Sequence, residues 1–233
     1  MQPVVKNLLI INVLFFLATF VFERQGIDLG RILGLFYFDS PEFRPYQLAT
    51  HFFMHGGFIH LLFNMFSLVV FGNLLENLWG AKRFLIFYFI TALGAAFLHQ
   101  LIQGIEIYNA TGSFMPGLDR FMSISEGTIS YDQKYAYAVD SFVQMYIPVV
   151  GASGAVYGLL AATAMLFPNN VIYLYGAIPL KMKWLALGLA GISLFSGFSN
   201  NPGDSVAHFA HLGGMLFGFI IVKIWNKNRT NFY

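Results

Sequence analysis

The chain has 233 residues, 57% of them hydrophobic and 10% charged, with a formal net charge of +2 and a mean hydropathy of +0.64. A water-solvated domain carries about 25% charged residues, so this composition excludes an ordinary soluble fold and indicates a polytopic membrane protein. The small net charge gives no basis for a nucleic-acid partner, and zero cysteines exclude disulfides and thiol chemistry.

A bilayer core needs about 20 apolar residues per helix. Six segments meet or approach that length, at about 4–22, 58–78, 83–104, 150–167, 183–198 and 205–225. The predicted fold class is all-α, a bundle of six transmembrane helices forming one domain over residues 1–233. The first run, Val4 to Phe22, lacks a small-residue cleavage site and runs straight into Glu23 and Arg24, so it reads as a retained span. Residues 23–57 carry Pro41, Pro45 and the aromatics Phe36, Tyr37, Phe38, Phe43 and Tyr46. That is too apolar for a free linker and predicts a segment lying partly in the outer interface.

The second helix starts after Gly56-Gly57, which puts His60 in its first turn and Asn64 one turn further on the same face. Glu76, near the inner end, is expected to tie down the Leu78–Lys82 turn. His99, on the third helix, reads as structural, and residues 105–149 as an ordered or semi-ordered outer loop. Pro148 and Pro168 bracket the fourth segment. Its helical part, Ser153 to Phe167, is about 22 Å long at 1.5 Å per residue. A core of roughly 30 Å is deeper than that, so neighbours must shield this helix and leave room for water above its end, where Ser153 lies. His211 sits one and a half to two turns below the start of the sixth helix near Asp204 or Ser205.

Basic residues set the orientation. With the N-terminus inside, Lys6, Lys82, Arg83, Lys181, Lys183, Lys223, Lys227 and Arg229 face inward. Arg24, Arg31, Arg44, Arg120 and Lys134 face outward, diluted by most of the acidic residues. Both termini are therefore expected inside. The expected location is a bacterial cytoplasmic membrane, with both termini cytoplasmic.

Under this topology Ser153, His211, His60 and Asn64 share the outer half of the membrane, where polar groups are costly and usually functional. A serine hydroxyl becomes nucleophilic when a base within hydrogen-bond reach takes its proton, and histidine is the usual base. No carboxylate shares that depth, since Asp204 is expected above it, so a Ser-His dyad is expected rather than a triad. Asn64, His60 and the Ser153 backbone N–H are candidate oxyanion donors, while Gly151 and Gly154 permit a tight turn and close approach of a carbonyl. Blander readings exist: glycines for helix packing, and His211 as a buried ring bonded to a carbonyl. Coincidence of depth favours the chemical reading. A zinc site from His51, His55 and His60 is disfavoured, because Gly56-Gly57 disturbs their common face and no Cys or carboxylate joins them. No metal and no cofactor are expected.

Gly151-Ala152-Ser153-Gly154 with Tyr157, followed by Ala210-His211 with Gly214 and Gly218, resembles the rhomboid family of intramembrane serine proteases. So does His55-(x4)-His60-(x3)-Asn64 ahead of Glu76-(x3)-Gly80. The resemblance covers roughly residues 4–225. It implies Ser153 as nucleophile, His211 as general base, His60 and Asn64 as oxyanion donors, and Tyr157 packed on the His211 ring. In that register His208 is an interfacial neighbour of the base. The resemblance further implies that the fifth helix and a cap loop at about 198–204 move to admit substrate, and that residues 23–57 form a membrane-embedded loop. Pro45-Tyr46-Gln47 departs from the Trp-Arg or Trp-Gln of many relatives, which bears on loop anchoring and leaves the catalytic set untouched.

The implied function is an endopeptidase that cleaves transmembrane segments of other membrane proteins, with those proteins and membrane lipids as partners. The alternative is a catalytically silent rhomboid-like chaperone or adaptor that binds transmembrane helices, although this chain keeps both Ser153 and His211. A small-solute transporter has the short fourth helix in its favour, but the two halves show no inverted repeat.

Overall fold

A computed structural model describes residues 1–117, 122–125, 128–131, 133, 143–174, 177–198 and 205–227. Its helices are α1 (Pro3–Glu23), α2 (Leu29–Leu33), α3 (Gln47–Thr50), α4 (Phe58–Trp79), α5 (Ala81–Thr111), α6 (Ser153–Leu166), α7 (Met182–Phe198) and α8 (Ser205–Lys227). A 3-10 turn (His51–Phe53) and two antiparallel hairpins complete the described elements: β1 (Met122–Ser125) with β2 (Thr128–Tyr131), and β3 (Val171–Leu174) with β4 (Ile178–Lys181). α1, α4, α5 and the His208–Lys227 part of α8 are long and apolar enough to cross a membrane, whereas α6 and α7 are shorter apolar helices. The outward faces are apolar too, with Phe63, Phe66, Phe195 and Phe198 more than half exposed. Such surfaces are stable against hydrocarbon and unstable against water.

Each of these apolar helices approximates the apolar run that predicted it, four of them as candidate spans. The largest departure is α5, which continues seven residues past residue 104 to Thr111 and ends at Gly112 in the left-handed conformation, φ +77°. The polar Glu106 and Asn109 hide this extension in the sequence. Ile107 accounts for it, because its side chain is fully buried against Tyr37 and Met145. The β3–β4 hairpin was not anticipated from the sequence either. It closes back on the α6 end through Met182 N–H to the Asn170 carbonyl (2.8 Å).

α6 forms the centre of the bundle, with nine of its fourteen residues buried. Glycines let its neighbours approach. A Cβ on Gly214 would collide with the Gly154 carbonyl, and one on Gly218 would stand 2.8 Å from the Gly158 carbonyl oxygen. On the opposite side Gly154 meets Ala95, and a Cβ on Gly158 would lie 2.6 Å from Thr91 Cβ. Small residues four apart thus bring α5, α6 and α8 to near backbone contact, the usual mode of association in lipid. Two threonine hydroxyls inside this core are satisfied locally: Thr91 Oγ1 donates to the Phe87 carbonyl (2.9 Å) and Thr163 Oγ1 to the Leu159 carbonyl (2.8 Å).

Residues 23–57 are an ordered segment folded onto the bundle. Gln47, 1% exposed, bonds in four directions: its Oε1 accepts from the Phe36 and Arg44 N–H groups, and its Nε2 donates to the Ile32 and Glu42 carbonyls. Leu35 and Val149 exchange two backbone bonds of 2.9 and 2.8 Å. These contacts fasten the segment to the strand of chain leading into α6. Glu76 does not serve the Leu78–Lys82 turn with its side chain, as the sequence suggested. Its two carboxylate oxygens accept the Val4 and Val5 N–H groups at 3.0 and 2.9 Å, capping the start of α1.

Candidate active site

Ser153 is the first residue of α6, and the turn that delivers it is built by its neighbours. Gly151 has φ +125°, a conformation that side chains with a Cβ rarely adopt. Its N–H donates to the His51 carbonyl at 2.9 Å, so the ordered segment before α4 holds the turn directly. Because the first N–H groups of a helix lack internal partners, the start of α6 presents backbone donors beside the Ser153 hydroxyl.

His211 enters from α8, six residues after its start. Its Nε2 stands 3.0 Å from Ser153 Oγ. Tyr157, one turn below Ser153, lays its ring on the imidazole with centroids 4.1 Å apart and planes 3° from parallel. His208 meets the same imidazole edge-on, centroids 5.9 Å apart. The Gly154–Gly214 contact lies one residue beyond Ser153 and three beyond His211, so close helix packing is what brings hydroxyl and imidazole together.

His60, in the first turn of α4, presses its Nε2 edge onto Gly151; a Cβ there would sit 2.7 Å from His60 Cε1. Asn64 is buried, and its Nδ2 donates to the His60 carbonyl at 3.0 Å, which leaves one amide hydrogen for another acceptor. The His55 ring stands edge-on to His60, centroids 5.2 Å apart. A small cavity of about 20 Å³ borders Ser153, Gly151, His51, Ala95 and Ala210, a size that fits one water molecule.

His51 and His55, in the segment before α4, are neutral rings. Burial is the main cause, pushing both down to about 4, aided for His51 by His99 and for His55 by His60. His51 Nδ1 donates to the Gln47 carbonyl at 2.7 Å, which assigns its tautomer. Among the described residues no three His, Cys, Asp or Glu are grouped to hold a metal ion.

Residues 199–204 of the expected cap loop, Asp204 among them, lie outside the described residues, as do Arg120, Lys134 and Arg229. Sequence reasoning missed Thr91 and Ala95, which seat α6 from the far side. The run Gly94-Ala95-Ala96 was the available signal, since three small residues in an apolar helix mark a close packing face.

These features define an integral, polytopic, all-α membrane protein with a serine and an imidazole in contact at one end of its bundle. The family profile described as Rhomboid domain matches residues 42–227. The chain belongs to the rhomboid family. It is similar to the Rhomboid-like protein 11, chloroplastic, of Arabidopsis thaliana, with 26% identity over 229 residues, 94% of this chain and 64% of that protein. It is also similar to the RHOMBOID-like protein 2 of the same plant, 30% identical over 199 residues, 82% of this chain and 48% of that protein. A bacterial relative is the provisionally named rhomboid protease YdcA of Bacillus subtilis (strain 168), 27% identical over 181 residues, 76% of this chain and 68% of that protein. The chain thus spans less than two thirds of the length of either plant relative.

Proposed function

We propose that the chain is an intramembrane serine endopeptidase that hydrolyses a peptide bond in the transmembrane segment of another membrane protein. The observation that carries this reading is the 3.0 Å contact between Ser153 Oγ and His211 Nε2, with Tyr157 flat against the imidazole. In the neutral ring, Nε2 accepts the Ser153 proton as Oγ attacks the scissile carbonyl. The resulting oxyanion is met by the second amide hydrogen of Asn64, the His60 imidazole and the backbone N–H of Ser153. His211 then returns the proton to the leaving amine, and an acyl group stays on Oγ. Water activated by the same imidazole releases it and regenerates the hydroxyl. No acidic group is required, because the Tyr157 ring fixes the imidazole plane that a carboxylate holds in a triad.

The proposed topology has six spans with both termini inside and the Ser153 end of α6 facing outward. The eight inward basic residues of the sequence support it. Substrates are transmembrane helices that unwind locally, since a helical carbonyl is hydrogen-bonded and sterically hidden.

Purified protein in liposomes with a transmembrane reporter tests this reading. The expected result is cleavage by the wild type and none by Ser153→Ala of equal thermal stability. Cleavage that persists in Ser153→Ala refutes Ser153 as the nucleophile, and a folded wild type that cleaves no transmembrane reporter favours the silent chaperone or adaptor instead.

A further inference from the structure

α7 is open to lipid along most of its length, with Trp184, Leu187, Ile192, Phe195 and Phe198 all more than half exposed. Its buried residues are Met182, Ala186, Ser193 and Gly197, which form one stripe down the helix. Ser193 is the polar member of that stripe. It is 1% exposed, and its Oγ has no hydrogen bond of standard geometry among the described residues. Across the seam it faces the phenol of Tyr157 on α6. One turn further along, Gly197 lies against Phe209 of α8, where a Cβ would stand 3.0 Å from the ring. α7 therefore touches both helices that carry the candidate catalytic groups.

A buried hydroxyl without a partner is costly in an apolar seam, and the cost disappears if the two hydroxyls bond. The phenol hydroxyl is unnecessary for stacking, because a phenylalanine ring would cover His211 equally well. Its position opposite Ser193 gives it a separate role.

We propose that Ser193 is a positioning residue for the base. Ser193 Oγ accepts the Tyr157 O–H, which fixes the ring plane on which His211 rests; without that bond the ring is released and the imidazole loses its alignment to Ser153. The inference rests on the protease reading given above.

The full-length protein in liposomes tests this. Ser193→Ala and Tyr157→Phe each lower kcat about three- to tenfold with KM unchanged, as loss of one positioning hydrogen bond predicts. The double variant is no slower than either single one, because both delete the same bond. Ser193→Thr, which keeps the hydroxyl, restores the rate. In protein carrying 13C-labelled histidine, the Cε1 proton of His211 is shielded by the Tyr157 ring and shifts downfield in Ser193→Ala. Tyr157→Phe removes the bond without opening a cavity, so it decides the matter even if Ser193→Ala is poorly folded. Multiplying effects in the double variant, or an unchanged kcat in a folded Ser193→Ala, overturns the inference alone. Absence of any fluorophosphonate adduct on Ser153 of the wild type overturns the protease reading and this inference with it.

Discussion

At the scale of single residues, the arrangement depends on one glycine as much as on the polar groups. Gly151 combines φ +125° with the His60 ring 2.7 Å from where a Cβ would lie. Gly151→Ala therefore meets two penalties, a backbone strain of about 1–3 kcal/mol and displacement of His60. The expected outcome is a lower melting temperature and about a hundredfold slower cleavage, the scale of losing one oxyanion donor. A variant with wild-type turnover would mean that His60 has no part in the reaction. The nearness of Ser153 and His211 was legible in the sequence because the apolar runs that carry them place both at one depth, with His60 and Asn64 as further candidates at that level. What remained illegible was mutual orientation: that His60 lies on Gly151, that Gly151 N–H bonds the His51 carbonyl, and that Ser193 faces Tyr157. Contacts between residues so far apart leave no periodic trace in the chain.

At the scale of elements, α6 and α8 are held at backbone contact by Gly154 with Gly214 and Gly158 with Gly218. Gly214→Ala pushes a methyl group into the Gly154 carbonyl, and the relief is for α8 to move outward. Overpacking of this kind costs about 1–3 kcal/mol, and here the same movement lengthens the Ser153–His211 contact. The variant should insert and fold with reduced stability, and both probe labelling and reporter cleavage should fall together; stability lost with labelling intact would separate packing from chemistry. Gly214 and Gly218 of α8 were readable as a packing face from their spacing of four, whereas Gly158 on α6 was not singled out in the sequence. The partner surface on α5 was less readable, because Thr91 and Ala95 are ordinary residues for any apolar helix. Element ends failed where tertiary contacts override composition. α5 is prolonged by burial of Ile107, and Glu76 reaches across to cap α1, a contact that joins residues 71 and 72 positions apart.

At the scale of the whole molecule, the segment before α4 makes stability sensitive to acid. His51 and His55 have folded values near 4 against an ordinary 6.5, chiefly through burial. The unfolded chain binds those two protons first, so stability from the neutral rings is complete above about pH 6.5 and is lost as pH falls towards 4. The melting temperature in detergent should hold steady from pH 8 to 6.5 and then decline. His55→Ala should flatten part of that decline; a curve unchanged down to pH 4 contradicts buried neutral rings. Since His51 and Gln47 also hold the turn before Ser153, the same acid step loosens the candidate site.

In the proposed reaction the imidazole on α8 activates the hydroxyl on α6. The direct measurement is reaction with a fluorophosphonate, followed by peptide mapping, in wild type, Ser153→Ala and His211→Ala at matched stability. A single adduct on Ser153 is expected in the wild type and none in either variant. Equal labelling of Ser153 in His211→Ala would contradict activation by the imidazole.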